Sequence, residues 1–302
     1  MYLHEDREIF KDVIEASSNY LGVSKETIEK DYYVTMILKR LAHVKELPCV
    51  FKGGTSLSKC FQCIDRFSED VDITFAEHLG EARRKKLKYK VIKPIADELG
   101  LVIRNWDKIE SDKDYNAYFL IYNPISEYAN NIIKPEVKLE TALVSYAFPT
   151  EIKSVGNLAY DYLIIDNADI IQEYDLFPFD MRVQSISRTF IDKVFALCDY
   201  YIQGRSKRYS RHLYDLYKLR QILPMDEKLK ILISEVREHR SKLKICPSAK
   251  PEINIRKTIY EFCDLDFYKQ DYVSMTDYFI SESISYDDTI CNIKEIADIM
   301  FS

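Results

Sequence analysis

Asp70 and Asp72 flank Val71 in a segment that runs on as Ile73-Thr74-Phe75. The pattern reads as the start of a β-strand, and two residues apart on a strand both carboxylates project to one face. Such a pair suits a divalent cation of the Mg2+ type, which takes oxygen ligands and keeps positions for water and substrate phosphate. The apolar Val71 and Ile73 pin the strand into a core. The same two acids also suit an ordinary solvated strand end, so the pair alone leaves both readings open. Upstream stands Gly53-Gly54-Thr55-Ser56. Glycines at a turn let backbone N–H groups approach a ligand closely, and the helix that follows presents its positive end, which suits phosphate. Thr55 and Ser56 add hydroxyl donors at that helix start, where they would also be ordinary N-caps. Turn and carboxylates are close in sequence, which puts a triphosphate and its metal within reach of each other.

The elements that must position these residues follow from local pattern. Two helical stretches occupy the first forty residues or so, the second opening at Ser24 as N-cap and running through Glu29-Lys30-Asp31-Tyr32-Tyr33 towards Leu41. Cys49-Val50-Phe51 reads as a short buried strand, Gly53-Gly54 as a turn, Thr55 to Cys63 as a helix and Val71 to Phe75 as the next strand. A charged helix follows from Gly80 to Leu99, ended by Gly100 in the place of a left-handed cap. Strand-like segments cluster at Leu101–Trp106, Tyr118–Tyr122 and Pro135–Glu140. From about Phe179 the pattern is helical, with helices expected at Ser187–Ile202, Arg211–Ile222 and Glu227–Leu243 and some three more beyond Pro251. The expected organisation is a mixed α/β domain over 1–178, a small mixed sheet flanked by helices, and a helical domain over 179–302.

The bulk composition narrows the function classes. With 302 residues, 47% hydrophobic, and only 7 Gly and 9 Pro, the chain supplies a full core and leans to helix. A net charge of −6 argues against a protein that coats nucleic acid through many cationic contacts. No apolar run approaches the ~18 residues of a membrane span, and no signal segment opens the chain, so the protein is expected in the cytoplasm, away from membranes. Seven cysteines, an odd number, do not make a secreted disulfide framework. Cys60 and Cys63, three apart on an expected helix, are assigned to packing. His212, among aromatic residues, is assigned a positional role. Arg83, Arg84, Lys85, Lys86, Lys88, Lys90 and Lys93 crowd the charged helix, either as an RNA-backbone surface or as a solvated helix face.

Phe51-Lys52-Gly53-Gly54-Thr55-Ser56-Leu57-Ser58-Lys59 together with Arg66-Phe67-Ser68-Glu69-Asp70-Val71-Asp72-Ile73 resembles the signature of the AbiEii/AbiGii nucleotidyltransferase toxins, in the wider polymerase-β-like nucleotidyltransferase fold. Glu29 to Tyr33 upstream, and Arg188 to Lys193 and Ser210 to Tyr217 downstream, resemble the same family. The resemblance spans roughly residues 25 to 220; the last eighty or so match by helical character alone. It implies Mg2+- or Mn2+-dependent transfer of a nucleoside monophosphate from a nucleoside triphosphate to an acceptor, the 3′ end of tRNA, by the toxin of a toxin–antitoxin or phage-defence pair with a cognate antitoxin. It assigns Asp70 and Asp72 to catalysis and metal, Lys193 and Asp215 to the active site, and Gly53, Gly54, Thr55, Ser56, Lys59 and Lys193 to the nucleotide. Glu140 is the third acid it suggests, although Glu136 on the same strand is an alternative if the strand is shifted. Lys193 on an amphipathic helix places a point charge on a phosphate oxygen. Asp215, set among Leu213, Tyr214, Leu216 and Tyr217, needs a partner, and an ion pair with Arg211 or Lys193 would equally serve to join two helices. A protein or small-molecule acceptor, or a catalytically idle GTP- or RNA-binding switch, would carry the same triphosphate motif.

Overall fold

A computed structural model of the chain describes residues 1–66, 68–125, 133–143, 146–276 and 284–301. The backbone falls into two units, Met1–Cys60 with Glu69–Val183, and Phe61–Ser68 with Gln184–Ser302. Phe67, within the signature, lies outside the described residues.

The first unit opens with two capped helices. Asp6 accepts the Ile9 N–H and Ser24 the Thr27 N–H, starting α1 (Arg7–Leu21) and α2 (Lys25–Ala42), with Gly22 in the left-handed region between them at φ 68°. Then come β1 (Val50–Lys52), α3 (Gly53–Lys59), β2 (Val71–Thr74), α4 (Glu81–Lys86), a π-helical turn (Leu87–Ile92), α5 (Lys93–Glu98), β3 (Val102–Ile103), β4 (Tyr115–Ile121), β5 (Glu136–Ala142), β6 (Thr150–Val155), α6 (Leu158–Asp166), α7 (Ala168–Glu173) and β7 (Phe179–Gln184). The seven strands form one mixed sheet in the order β3-β4-β5-β2-β1-β7-β6. β1 is antiparallel to β2 and parallel to β7, and β2 is parallel to β5. Strict alternation along β4 and β5 buries Tyr118, Leu120, Val137 and Leu139 on one face. α2 packs on β5, and α3 on β1 and β2, so the strands that carry the acids are held by helices of the same unit.

The second unit is helical: α8 (Ile186–Ile202), α9 (Arg211–Arg220), α10 (Glu227–Ser241), α11 (Ile255–Asp264), α12 (Lys269–Asp271), a π-helical turn (Tyr272–Thr276) and α13 (Tyr286–Met300). Ser185, Asp226, Asn254 and Ser285 cap α8, α10, α11 and α13 through their side chains. Phe190, Phe195, Leu213, Leu216, Phe262 and Ile296 are fully buried in its core. No helix among the described residues is long and apolar enough to cross a membrane.

Several local expectations are corrected. The helix after β1 starts at Gly53 itself and stops at Lys59, not Cys63; Gln62 at φ 50° ends any continuation. Cys60 and Cys63 therefore do not share a helix face. Both are free thiols, and burial pushes them up to about 12 and about 11, far from a reactive thiolate. The strand expected at Leu101–Trp106 contracts to Val102–Ile103, since a 3-10 turn begins at Trp106. The helical reading from Phe179 gives way to β7, where Phe179, Met181 and Val183 alternate with Asp180, Arg182 and Gln184, the period of a strand.

Candidate active site

The first unit sets acids side by side. In the parallel pairing of β2 and β5, Asp72 stands opposite Glu140, and across the antiparallel pair it faces Lys52. Directly opposed residues share a face of the sheet, so Lys52, Asp72 and Glu140 form a row, with Asp70 one residue ahead of β2. Burial, the Glu140 carboxylate beside it and the hydrogen bond between the two raise Asp72 to about 7, with Asp70 adding to the effect and Lys52 opposing it. Glu140 moves the other way: burial works against its charge, but hydrogen bonds from Asp72, Lys138 and Tyr115 outweigh it and hold it below the usual carboxylate range. The Tyr115 hydroxyl donates to Glu140 at 2.6 Å, and Lys138 is ion-paired with it. The neighbouring carboxylates thus shift in opposite directions, Asp72 favouring the protonated form and Glu140 the charged one.

Two neighbouring carboxylates are a hard-oxygen donor set of the kind Mg2+ and Mn2+ accept. Among the described residues no group of three or more Asp, Glu, His or Cys side chains is arranged as a closed metal cage. An ion that keeps several waters and binds substrate phosphates needs only one or two protein carboxylates, and the pair fits that requirement.

Against this row lies the glycine turn. Gly53 has φ +83°, and a Cβ built there would sit 2.2 Å from the Asp72 Oδ2. Only glycine satisfies both the left-handed backbone and this approach. The Ser56 hydroxyl donates to the Gly53 carbonyl at 2.9 Å, and Thr55 and Ser56 are both fully buried. The Ser56 hydroxyl thus braces the turn from within. Gly54 is half-buried beside them. Lys59, expected on the nucleotide, forms a buried ion pair at 2.5 Å with Asp31 of α2.

That pair belongs to a support absent from the expected site. Glu29, Lys30 and Asp31 are all buried on α2. Glu29 accepts the Ile125 N–H, Lys30 pairs with Glu69 next to Asp70, and Asp31 also accepts the Leu158 N–H. Tyr33 stacks on Tyr122 with ring centroids 4.1 Å apart. Buried charge is costly unless paired, so these residues fix both ends of the segment carrying the turn and the acids. The signal was three successive charges leading directly into the apolar and aromatic run Tyr32 to Leu38 of the same helix.

The second unit brings together Arg66, Lys193 and Asp215. Arg66 grips Asp215 through two parallel bonds, Nε to Oδ1 at 2.6 Å and Nη2 to Oδ2 at 2.7 Å, while the Lys193 Nζ reaches Oδ2 at 2.5 Å. Burial alone would raise Asp215, but Arg66 and Lys193 overcome it and hold the carboxyl far below its ordinary value. Burial lowers Lys193, Asp215 opposing and Arg66 reinforcing the shift. Arg66 was quoted in the signature without a role; its partner lies 149 residues away in sequence, beyond any local pattern. Asp65 and Tyr214 fasten the same segment, the Asp65 N–H donating to the Tyr214 hydroxyl at 3.3 Å and Lys218 pairing with Asp65. His212 has a buried Nδ1 with no partner among the described residues, and burial and Lys193 hold its ring well below its ordinary value. That shift favours the uncharged ring.

The basic helix is largely spent on the fold. Arg83, Lys85, Lys86 and Lys93 are ion-paired with Glu77, Glu81, Glu46 and Asp97. Arg84 is buried on Leu79, Asp112 and Asp114, and Lys88 donates to the Ile109 carbonyl beneath the Trp106 ring. Of the seven cations only Lys90 lacks such a partner among the described residues, so the charge of this helix is largely met within the protein.

Comparison with known proteins gives three findings. The model of the AbiEii family, described as the nucleotidyl transferase AbiEii toxin of a type IV toxin–antitoxin system, matches residues 37–289. No curated protein matches the sequence. Among solved structures, MenT4, a nucleotidyltransferase toxin from Mycobacterium tuberculosis H37Rv, is similar in fold with a TM-score of 0.51 and 15% identity, covering 95% of this chain and 88% of that one.

Proposed function

Because the chain belongs to the AbiEii family of nucleotidyltransferase toxins, the toxin side of type IV toxin–antitoxin systems, we propose that it transfers a nucleoside monophosphate from a metal-chelated nucleoside triphosphate to the 3′ end of tRNA. The observation that supports this best is the contact of the Gly53 backbone with the Asp72 carboxylate, which joins a turn able to approach phosphate to an acid pair able to hold its cation.

In this reading Asp70 and Asp72, with Glu140, hold Mg2+ or Mn2+. When bound, the cation supplies charge neutralisation on the phosphate oxygens and favours the deprotonated acceptor hydroxyl. Backbone N–H groups at Gly53 and Gly54 approach the triphosphate, with Thr55 and Ser56 supporting the turn. Tyr115 and Lys138 keep Glu140 oriented. Lys193 supplies positive charge to a phosphate oxygen, while Asp215, whose oxygens are occupied by Arg66 and Lys193, is a positioning residue that holds the lysine in place. Lys59 acts through Asp31 to hold α3. The acceptor hydroxyl attacks the α-phosphorus in line as the bond to the bridging oxygen breaks, pyrophosphate departs, and a carboxylate of the row assists the loss of the acceptor proton. A partner protein that silences the toxin completes the picture.

The test incubates the purified protein with Mg2+, total tRNA and each α-labelled nucleoside triphosphate in turn. Label on tRNA, with release of pyrophosphate, is expected for the wild type and absent for Asp72→Ala. Label on protein instead would move the acceptor to another class, and bound triphosphate with no transfer in any mixture would replace the enzyme by an idle switch.

A further inference from the structure

The link between α8 and α9 carries Arg205, Lys207, Arg208 and Arg211, four cations in seven residues of a chain whose net charge is −6. All four are exposed. Unlike the cations of the basic helix, Arg205, Lys207 and Arg208 have no ion-pair partner among the described residues. The backbone beneath them is fixed. Asp271, itself buried, accepts the N–H groups of Arg208 and Ser210 at 2.7 and 3.1 Å and the Ser210 hydroxyl at 2.6 Å. This clamp holds Arg208 at φ 73°, a conformation a long side chain adopts only under constraint. A buried acid is thus committed to shaping a loop whose cationic side chains Arg205, Lys207 and Arg208 are exposed.

Aromatic rings accompany the charge. Tyr209 in the loop stacks on Tyr200 of α8 with centroids 3.4 Å apart and planes 14° from parallel, and Tyr200 lies parallel to His212 at 6.3 Å. His212 is one turn before Asp215 on α9, within the same unit as Lys193. Unpaired cations beside half-buried parallel rings are the combination that binds a nucleic-acid strand, charge to the phosphates and ring faces to the bases. An acidic polypeptide would use the charge and have no need of the rings.

We propose that the 204–211 loop is an RNA-binding surface that contacts the phosphodiester backbone of the acceptor through Arg205, Lys207 and Arg208, with the Tyr209–Tyr200 stack as a platform for an unpaired base. The proposal rests on the tRNA reading above for the identity of the RNA, and on the loop itself for where it binds.

The test measures fluorescence anisotropy of a labelled RNA hairpin with a single-stranded 3′ end, without nucleoside triphosphate, across a salt series. The triple variant Arg205→Ala/Lys207→Ala/Arg208→Ala is expected to bind at least about tenfold more weakly. The slope of log affinity against log salt should flatten by about 0.7–0.9 for each phosphate contact removed. Tyr209→Leu should weaken binding of the hairpin with the tail more than of a blunt one. Circular dichroism and triphosphate binding of the triple variant should match the wild type, its three side chains being exposed, and those of Tyr209→Leu are measured alongside so that any loss of RNA binding is read against an intact fold. Unchanged RNA affinity and salt slope in the triple variant overturn the proposal, as does loss of binding to polyglutamate with RNA binding intact. If the wild type binds RNA through this loop yet labels none, the loop assignment stands and the transfer reading falls. If RNA is labelled while the triple variant binds it normally, the reverse holds.

Discussion

Asp72 is the residue whose chemistry is most altered by its neighbours. A carboxylic acid raised to about 7 in the folded chain and ordinary in the unfolded one binds a proton more tightly when folded. Folding therefore gains stability as the pH falls from about 7 towards the unfolded value, and loses it as the pH rises through that window. In chelator-treated protein, Asp72→Asn should raise the stability at pH 8 by about 1–3 kcal/mol, the gain shrinking towards pH 5. Urea titrations at the two pH values measure it. A wild type equally stable at both, with no gain in the variant, would mean that the row does not carry the repulsion described. Added Mg2+ should narrow the same gap, because a cation neutralises the negative charge that the amide removes.

At the scale of elements, the turn between β1 and α3 can be separated from glycine conformation in general. Gly53 and Gly100 both have positive φ, but a Cβ at Gly53 meets the Asp72 carboxylate, while one at Gly100 meets nothing within 4 Å. Gly100→Ala should cost about 1 kcal/mol of backbone strain and leave transfer intact. Gly53→Ala should cost more and abolish transfer, because the acid must shift. Thermal melts and the labelling assay on the two variants, side by side, decide it. The strands around this turn were legible because each has local marks: an apolar run before two glycines, alternating acids and apolar residues in Asp70–Ile73, and alternation in Val137–Glu140. The register that sets Glu140 opposite Asp72 was not, since nothing in either segment names its neighbour. The buried charges Glu29, Lys30 and Asp31 were hidden for a different reason: on a helix, charge ordinarily marks the solvated face, and only tertiary partners show otherwise.

Across the whole molecule the notable feature is that Phe61–Ser68 leaves the sheet-bearing unit and belongs to the helical one. Its anchor is Arg66 on Asp215. Removing one member of a buried charge cluster leaves the others under-compensated and typically costs about 3–5 kcal/mol. Arg66→Met should therefore lower hydrogen-exchange protection in α8 and α9 and leave β4 and β5 protected; equal loss in both would assign the cluster to the whole molecule instead. The pH dependence of this contribution opposes that of Asp72. Because the folded value of Asp215 is depressed, its stabilisation is complete above the ordinary carboxylate range and is lost as the pH falls below it.

The same excursion has a consequence for how the protein is made. Arg66 leaves the ribosome 149 residues ahead of the aspartate that receives it, so through about half of the synthesis of the 302 residues the segment has a strand on one side and no destination on the other. Lys193 emerges before its counter-charge as well. A chain built this way assembles its basic cluster only when translation has passed α9, and a nascent chain that stops short of that helix carries Arg66 and Lys193 without the carboxylate that receives them.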